Sequence, residues 1–366
     1  MLFTPEAHEA LAEEPWSTKK VRAAIASIVA DAESAFDDGW PMHPQDEDAD
    51  DEPGARLRTV YLGGAGVVDA LHRLALRGFV ELRRDYVPYL EHSLEAQPDF
   101  PDEDSERSVW MGETGIRLVL GRLAPSQANL ERLAELIAAN EQDERCELMW
   151  GSPGTILAAR ELGLDVTASI EWLHCERDTE GLWTQQLYGQ SRRFLGPAHG
   201  FAGCVLALGD VAGVTETLQR FAVEEDGLVN WPGLAGMRLD ANGDGRIRTQ
   251  WCHGAPGIVA TLAHLLDEEL AVAGGELTWR AGPLQKGANL CHGTAGNGYA
   301  FLALLERTGD ERWLTRARTF AMHAAGQVEH SRSDYGRGRY SLWTGDLGTA
   351  LYLADCTDGR GHLPLP

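Results

Sequence analysis

One motif recurs seven times along the chain and constrains its fold more than any other feature. Each copy is a Gly-x-x-Gly followed by an apolar stretch, and successive copies begin 39 to 54 residues apart. The glycine pairs are Gly63 and Gly66, Gly112 and Gly115, Gly151 and Gly154, Gly200 and Gly203, Gly254 and Gly257, Gly293 and Gly296, and Gly345 and Gly348. A unit that repeats at this spacing is typical of helical-repeat proteins, in which neighbouring copies pack together to bury a shared core.

Each interval between copies also holds a second helix of a different kind. The apolar residues of these segments lie on one face, as Trp313, Ala317 and Phe320 do, which is typical of an outer helix with a solvated side. The motif helices are apolar nearly all round, and from Gly257 to Leu266 only a threonine and a histidine interrupt the run. This alternation predicts an all-α fold, an α/α toroid with seven inner helices inside seven outer helices. An open solenoid of helix pairs is the alternative.

Composition and charge exclude several functional classes. The chain has 32 Lys plus Arg against 56 Asp plus Glu, and its formal net charge of −24 repels nucleic acid and anionic lipid. It has neither a signal-peptide pattern nor an apolar run long enough to cross a membrane, so we expect a cytoplasmic protein. In that compartment the six cysteines are expected to be reduced, metal-binding or catalytic rather than paired in disulfides.

Cysteine and histidine stand directly before the first glycine in two consecutive copies. The two sequences are Trp251-Cys252-His253-Gly254 and Leu290-Cys291-His292-Gly293, and a third copy has His199 at the same place. In a closed ring the N-termini of the inner helices gather around a central cavity, so these thiols and imidazoles would converge there. Thiolate and imidazole are ligands that zinc prefers, and the sequence therefore predicts a metal site. The alternative is that the cysteines are buried and only pack in the core.

Longer stretches around these residues resemble the lanthionine synthetase C-like (LanC-like) family. They are WCHGAPG and LCHGTAGNGYAF, with AHGFAG upstream and SLWTGDLGTALYLAD near the end of the chain. The resemblance extends from about Tyr61 to the C-terminus and includes DGLVNWPG at 226–233. It implies an α/α toroid around a catalytic zinc ion. In this family the zinc activates a cysteine thiol for addition to dehydroalanine or dehydrobutyrine, and the product is a lanthionine thioether.

The resemblance also implies the zinc ligands of this chain, which are Cys252, Cys291 and His292. Three protein ligands leave the fourth position of a tetrahedral zinc open, as in catalytic rather than structural sites. A substrate thiol bound at that position would lose its proton to become a thiolate.

Three further residues receive catalytic roles from the same resemblance. His199 handles the proton, Glu147 supports His199, and Arg248 stabilises the charge of the enolate. The lantibiotic cyclases have aspartate where this chain has Glu147. Taken alone, these residues have simpler interpretations: a hydrogen-bonded core histidine, a carboxylate at a helix start, and a loop arginine paired with the acidic surface. Trp251 either lines the cavity or belongs to the core.

The repeats cover the chain, which predicts a single domain at 1–366 with an acidic loop at about 37–54. The acidic run Asp46–Glu52 is expected to be solvated or disordered. Asp240–Ile247 is similar to the start of an EF-hand calcium loop, but Trp251 occupies the position of the required bidentate carboxylate. An Asp/Gly-rich turn is therefore expected there instead of a calcium site.

The main functional prediction is a lanthipeptide cyclase that acts on a dehydrated precursor peptide. The first alternative is glutathione transfer to dehydroamino acids in proteins, and the second is a non-catalytic protein that binds zinc or glutathione. The repeats leave no room for a fused dehydratase, so a separate dehydratase is the expected partner. A toroidal glycoside hydrolase or epimerase would rely on paired carboxylates and would leave the Cys-His motifs unused.

Overall fold

The structure, a computed structural model, describes residues 2–47, 52–101, 105–209, 211–237, 247–361 and 363–365. Fourteen α-helices in these ranges alternate between two rings. The inner helices are α2 (Gly64–Leu76), α4 (Glu113–Leu123), α6 (Ser152–Leu162), α8 (Phe201–Leu208), α10 (Ala255–Leu262), α12 (Thr294–Thr308) and α14 (Asp346–Asp358). The outer helices are α1 (Thr18–Ala35), α3 (Val87–Glu95), α5 (Gln127–Ala139), α7 (Thr167–Glu176), α9 (Val214–Phe221), α11 (Glu268–Ala281) and α13 (Glu311–Tyr335).

The inner helices form a closed ring. Neighbours in the chain pack together, as α2 does with α4 and α10 does with α12. The last inner helix, α14, packs against the first, α2, and the first outer helix, α1, packs against α14. The predicted toroid of seven inner and seven outer helices is therefore confirmed, and the open solenoid is excluded because an open array would leave its two ends apart.

The second glycine of each motif is required by a close approach of the backbone. A Cβ atom at Gly257 would lie 1.6 Å from the carbonyl oxygen of Trp251, and one at Gly296 would lie 1.7 Å from that of Leu290. The other five copies show the same contact with the residue six positions earlier, at 1.8 to 2.3 Å. Because no side chain fits at such distances, glycine allows the preceding turn to fold back onto the start of the helix.

These turns are joined around the ring by backbone hydrogen bonds. The N–H of Cys252 donates to the carbonyl of Cys291 at 3.1 Å, and the N–H of Cys291 donates to the carbonyl of Trp343 at 2.9 Å. The series continues from Trp343 to Tyr61 at 3.3 Å and from Tyr61 to Trp110 at 2.9 Å. Each of these five residues stands two positions before the first glycine of its motif. The repeat therefore brings the residues at this one position together at one end of the toroid.

An aromatic cluster packs beneath these turns. Trp343 stacks on Trp110 and on Trp251, with ring centroids 4.3 and 4.5 Å apart, and all three indoles are buried. Tyr61 stacks on the same cluster, 6.0 Å from Trp110 and 6.5 Å from Trp343. Trp251, which the sequence left between the cavity wall and the core, is therefore a core residue.

Two short hairpins interrupt the helical pattern, in connections where the sequence predicted no strand. Strands β1 (Gln185–Leu187) and β2 (Gln190–Arg192) pair between α7 and α8, and β3 (Val223–Glu225) and β4 (Leu228–Asn230) pair between α9 and α10. Three-residue strands are too short to show a clear alternation in sequence. No helix in the described ranges has the length and apolar character needed to span a bilayer.

The predicted solvated state of the acidic run is wrong at its first residue. The side chain of Asp46 is 8% exposed, and its carboxylate accepts hydrogen bonds from the buried guanidinium of Arg339, with Nε to Oδ2 at 2.6 Å. A buried guanidinium needs a charged partner, and Asp46 supplies it. The run also includes 48–51, which lie outside the described residues, as does 240–246 of the EF-hand-like segment.

Candidate functional site

The two motif cysteines lie in contact at the starts of α10 and α12. The backbone N–H of Cys252 donates to the carbonyl of Cys291 at 3.1 Å, both residues are buried, and their thiols are near enough for each to shift the pKa of the other through hydrogen bonding. Each sulfur also accepts one further hydrogen bond: the Tyr61 hydroxyl donates to Sγ of Cys291 at 2.9 Å, and Nε2 of Gln250 donates to Sγ of Cys252 at 3.0 Å. The sequence prediction that these two thiols converge is therefore met by the geometry.

The two thiols differ in acidity. The hydrogen bond from Cys291 lowers the pKa of Cys252 despite burial, and His199, Gln250 and Arg248 act in the same direction. The same hydrogen bond, together with burial and the charge of Cys252, holds the pKa of Cys291 well above its ordinary value.

His292 follows Cys291 at the same helix start. Burial, with the positive charges of Arg339 and Lys286, lowers the pKa of its imidazole to about 4, so the ring is neutral at pH 7. A neutral imidazole is the form that binds a metal. Within the described ranges, however, no three His, Cys, Asp or Glu side chains are gathered closely enough to hold a metal ion. The structure brings the two thiols together and leaves His292 beside them.

His199 and Glu147 form a hydrogen-bonded pair next to the thiols. Nδ1 of His199 lies 2.9 Å from Oε2 of Glu147, whose carboxylate is fully buried. The same carboxylate accepts backbone N–H groups at the start of α6, from Met149 at 3.0 Å, Gly151 at 3.2 Å and also Trp150. A carboxylate with this many donors is held firmly in place, so it fixes the orientation of the His199 ring.

The pKa of His199 reflects this partner. Burial opposes the charged imidazolium, but the hydrogen bond and the negative charge of Glu147, with a contribution from Cys252, raise the pKa of His199 above its ordinary value of 6.5. Because Nδ1 is engaged with Glu147, Nε2 is the atom left to exchange a proton. A histidine with a raised pKa is suited to accept and return a proton near neutral pH.

Arg248 lies on the wall of a cavity of about 630 Å³ next to these groups, and its side chain is exposed. The same cavity is lined by His253 and Lys286. A second cavity of about 430 Å³ lies on the other side of Lys286 and reaches Asn289 and Arg339. Arg248 contributes positive charge to the site, since it helps to lower the pKa of Cys252 and of His253.

Lys286 is a residue of the site that the sequence prediction missed. It lines both cavities, and its charge acts on Cys291 and His292. A signal was present in the composition, because the chain has only three lysines among its 32 basic residues, and the other two are Lys19 and Lys20. A lone lysine five residues before a motif cysteine is therefore unusual in this chain.

The residues present fit a zinc ion. Two thiols already in contact and a neutral imidazole on the adjacent residue are donor types that zinc prefers. Cys252, Cys291 and His292 are the residues that would hold the metal. Hydrogen bonds to both sulfurs are the outer contacts expected around metal-bound thiolates.

Comparisons with known proteins identify the family to which the chain belongs. The family model described as "Lanthionine synthetase C-like protein" matches residues 59–362. The chain is 33% identical over 184 residues to "Glutathione S-transferase LANCL1" of Danio rerio. The aligned region covers 47% of this chain and 44% of that protein. It is 32% identical over 184 residues to "LanC-like protein GCL1" of Arabidopsis thaliana, covering 44% of this chain and 40% of that protein.

These matches therefore span less than half the length of the curated relatives. Among solved structures, one titled "Nisin cyclase" has the same fold, with a TM-score of 0.60 and 16% identity, over 92% of this chain and 94% of that chain. The family model covers most of the sequence, and the toroid and the paired Cys-His helix starts are those implied by the resemblance. The chain belongs to the lanthionine synthetase C-like family.

Proposed function

We propose that this protein catalyses the addition of a thiol to a dehydroalanine or dehydrobutyrine residue, forming a thioether. The observation that carries the proposal is the placement of the His199–Glu147 pair beside the two contacting thiols, at 2.9 Å between Nδ1 and Oε2. This combines a metal-binding pair with a proton-transfer pair at one end of the toroid. A protein that only packs or only binds zinc has no need of the second pair.

The proposed cofactor is zinc, held by Cys252, Cys291 and His292. When bound, zinc supplies Lewis-acid chemistry that stabilises a substrate thiol as its thiolate. Arg248 and Lys286 line the cavity that adjoins this helix start, together with Gln250, which donates a hydrogen bond to Cys252. The aromatic cluster of Trp110, Trp251 and Trp343 adjoins the site, because Trp251 precedes Cys252 in the chain and the carbonyl of Trp343 accepts the backbone N–H of Cys291.

In this proposal His199 carries the proton through the reaction. Nε2 takes the proton of the substrate thiol, and Glu147 stabilises the imidazolium that results. The sulfur forms a bond with Cβ of the dehydroamino acid, and the π electrons of the double bond move toward Cα and the carbonyl oxygen. Nε2 then returns its proton to Cα, so the thiol adds across the double bond without any oxidant or reductant.

Arg248 and Lys286 stabilise negative charge on the substrate. Both line the 630 Å³ cavity, although the chain as a whole has a net charge of −24. An arginine on the cavity wall can face the oxygen of the enolate that forms after attack. The cations also favour a substrate that carries carboxylates, in contrast to the repulsion expected from the rest of the surface.

The leading candidate for the thiol donor is a cysteine of the same dehydrated peptide, which makes the protein a lanthipeptide cyclase. A second candidate is glutathione added to dehydroamino acids in proteins. It is favoured by the relative named "Glutathione S-transferase LANCL1", which matches at 33% identity, whereas the nisin cyclase matches at 16%. The first candidate requires a separate dehydratase to produce the dehydroamino acid, and the expected location is the cytoplasm for both.

Mass spectrometry of zinc-loaded protein with dehydroalanine peptides tests the proposal. One peptide contains a cysteine and is treated with iodoacetamide after the reaction, and the other has no cysteine and is mixed with glutathione. Loss of the alkylatable thiol without a mass change identifies a cyclase, and a gain of one glutathione mass identifies the second candidate. Protein stripped of metal by a chelator is the control and should form neither product. The proposal fails if the zinc-loaded protein forms neither product.

A further inference from the structure

Each thiol of the metal-binding pair accepts a hydrogen bond from a neutral side chain, and the two donors belong to different motifs. Gln250 belongs to the same helix start as Cys252 and donates to it from two residues away. Tyr61 belongs to the first motif and donates to Cys291 across 230 residues of sequence. The contact from Tyr61 is therefore a product of ring closure, which places the first motif beside the seventh and near the sixth.

The position of the Tyr61 hydroxyl is fixed by groups other than the thiol. Its ring stacks on Trp110 and Trp343, and its backbone N–H donates to the carbonyl of Trp110 at 2.9 Å. Its own carbonyl accepts the N–H of Trp343 at 3.3 Å. Because the ring, the backbone N–H and the backbone carbonyl of Tyr61 are all in contact with neighbouring residues, its O–H group has a fixed position. The sulfur of Cys291 lies at that place, 2.9 Å away.

We propose that Tyr61 is a positioning residue of the metal centre, whose hydroxyl orients Cys291 Sγ and sets the electron density that this sulfur donates to the zinc. The inference rests on the zinc site of the proposed function. A hydrogen bond to a thiolate withdraws electron density from the sulfur and restrains its orientation. Outer contacts of this type are commonly worth about 10–100-fold in metal affinity or activity.

The substitution Tyr61→Phe separates the hydrogen bond from the packing, because phenylalanine keeps the ring in the aromatic cluster and removes only the hydroxyl. A matched control is Tyr352→Phe, which removes a phenol hydroxyl from the core of the toroid. Its hydroxyl donates at 2.7 Å to the carbonyl of Ala317 in α13, and no thiol of the metal-binding pair is involved. Each variant loses one phenol hydroxyl and its hydrogen bonding, so a change confined to Tyr61→Phe does not arise from a general loss of stability.

Two measurements on the purified full chain read the metal centre directly. The first is the zinc dissociation constant, determined by competition with a chelator. The second is the sulfur-to-metal charge-transfer band after replacement of zinc by cobalt(II). For Tyr61→Phe we expect the zinc dissociation constant to rise by about tenfold or more, because the Cys291 sulfur loses the restraint on its orientation. The charge-transfer band should move to lower energy, because the sulfur is more electron-rich. For Tyr352→Phe we expect the wild-type value and the wild-type spectrum.

The inference is overturned if Tyr61→Phe keeps the wild-type dissociation constant and cobalt spectrum, or if Tyr352→Phe changes them equally. If the wild-type chain itself binds no zinc, the proposed function fails together with the inference. If the wild-type chain binds zinc and Tyr61→Phe binds it equally well with the same cobalt spectrum, only the inference fails. If Tyr61→Phe does not fold, Tyr61→3-fluorotyrosine makes the phenol a stronger donor and should move the cobalt band to higher energy. An unmoved band in that variant also overturns the inference.

Discussion

The helix starts of α10 and α12 share the tripeptide Cys-His-Gly but differ in conformation. Gly254 has a φ of +105°, and a Cβ there would lie 2.0 Å from the carbonyl oxygen of Arg248, whereas Gly293 has a φ of −125°. The pKa of Cys252 is lowered and that of Cys291 is raised. The same Cys-His-Gly sequence therefore adopts two different local structures at the starts of α10 and α12.

The two histidines of these tripeptides have different surroundings. The His253 ring packs 5.8 Å from Phe194 and 6.3 Å from His199, and burial, with the charges of His199 and Arg248, lowers its pKa to about 3. Its Nδ1 is buried and has no hydrogen-bond partner among the described residues. His292 instead is influenced by Arg339 and Lys286.

The difference follows from the neighbours of each helix start in the ring. The α10 start adjoins the α8 start, which carries His199, and the α12 start adjoins the α14 start, which carries Trp343. His253 is thus placed on the side of the proton-transfer pair and His292 on the opposite side. In a closed ring of repeats, the role of a motif residue depends on which copies flank it. The following predictions test this division of roles, from the largest expected effect to the smallest.

The largest effect is expected from Cys252→Ala and Cys291→Ala. Each removes one of the two sulfurs, so each should abolish stoichiometric zinc binding and thioether formation, although the two thiols differ in pKa. Zinc content by elemental analysis and turnover by mass spectrometry measure these losses. Cys356→Ala, which removes a buried thiol of α14, should keep both properties. Retention of stoichiometric zinc by either Cys252→Ala or Cys291→Ala would contradict the ligand assignment.

The substitution His199→Ala should reduce turnover by about 10²–10⁴-fold and leave zinc binding intact, because His199 moves the proton and does not hold the metal. Parallel measurement of zinc content and thioether formation separates the two roles. A variant that keeps wild-type turnover would contradict the assignment of His199 as the residue that moves the proton.

The substitution Glu147→Gln should lower turnover by about 10–100-fold and shift its pH dependence. Glu147 raises the pKa of His199, so removal of its charge lowers that pKa. His199 must be unprotonated to accept the thiol proton, and the acidic limb of the pH profile should therefore move to lower pH. The exposed Glu144→Gln is the control and should leave the profile unchanged. An unmoved acidic limb in Glu147→Gln contradicts the assigned partnership.

The smallest effect is expected from Arg248→Gln, at about a tenfold loss of kcat/KM. Arg248 is exposed on the cavity wall, and water and salt screen its charge. The loss should shrink as ionic strength rises, and kinetic measurements at low and high salt test this. A loss that is independent of salt would show that Arg248 acts by a different route than its charge.

Much of the fold could be predicted from the sequence because its cause is local. Each glycine pair marks a helix start, since the second glycine must admit the carbonyl six positions before it, as Gly257 admits that of Trp251. The outer helices follow from one-sided stripes, and Ser126 caps α5 as expected from its position. The proposed zinc ligands could be named from the sequence for the same reason, because a short motif carries them.

Contacts between distant copies could not be predicted from local patterns. The hydrogen bond from Tyr61 to Cys291 and the stacking of Trp110 on Trp343 exist only after the ring closes. The burial of Asp46 depends in the same way on Arg339, which lies 293 residues away. A run of acidic residues indicates solvent exposure unless a cationic side chain from a distant part of the chain packs against it. The sequence pattern alone does not show where that cation lies.

The most direct test of the account is zinc content per chain in His253→Ala and His292→Ala, measured side by side by elemental analysis after equal exposure to zinc and dialysis. The two substitutions are identical in chemistry and occupy equivalent positions in adjacent motifs. The account predicts that His253→Ala retains stoichiometric zinc and that His292→Ala binds it at least about tenfold more weakly. Loss of zinc in His253→Ala, with retention in His292→Ala, would contradict the account.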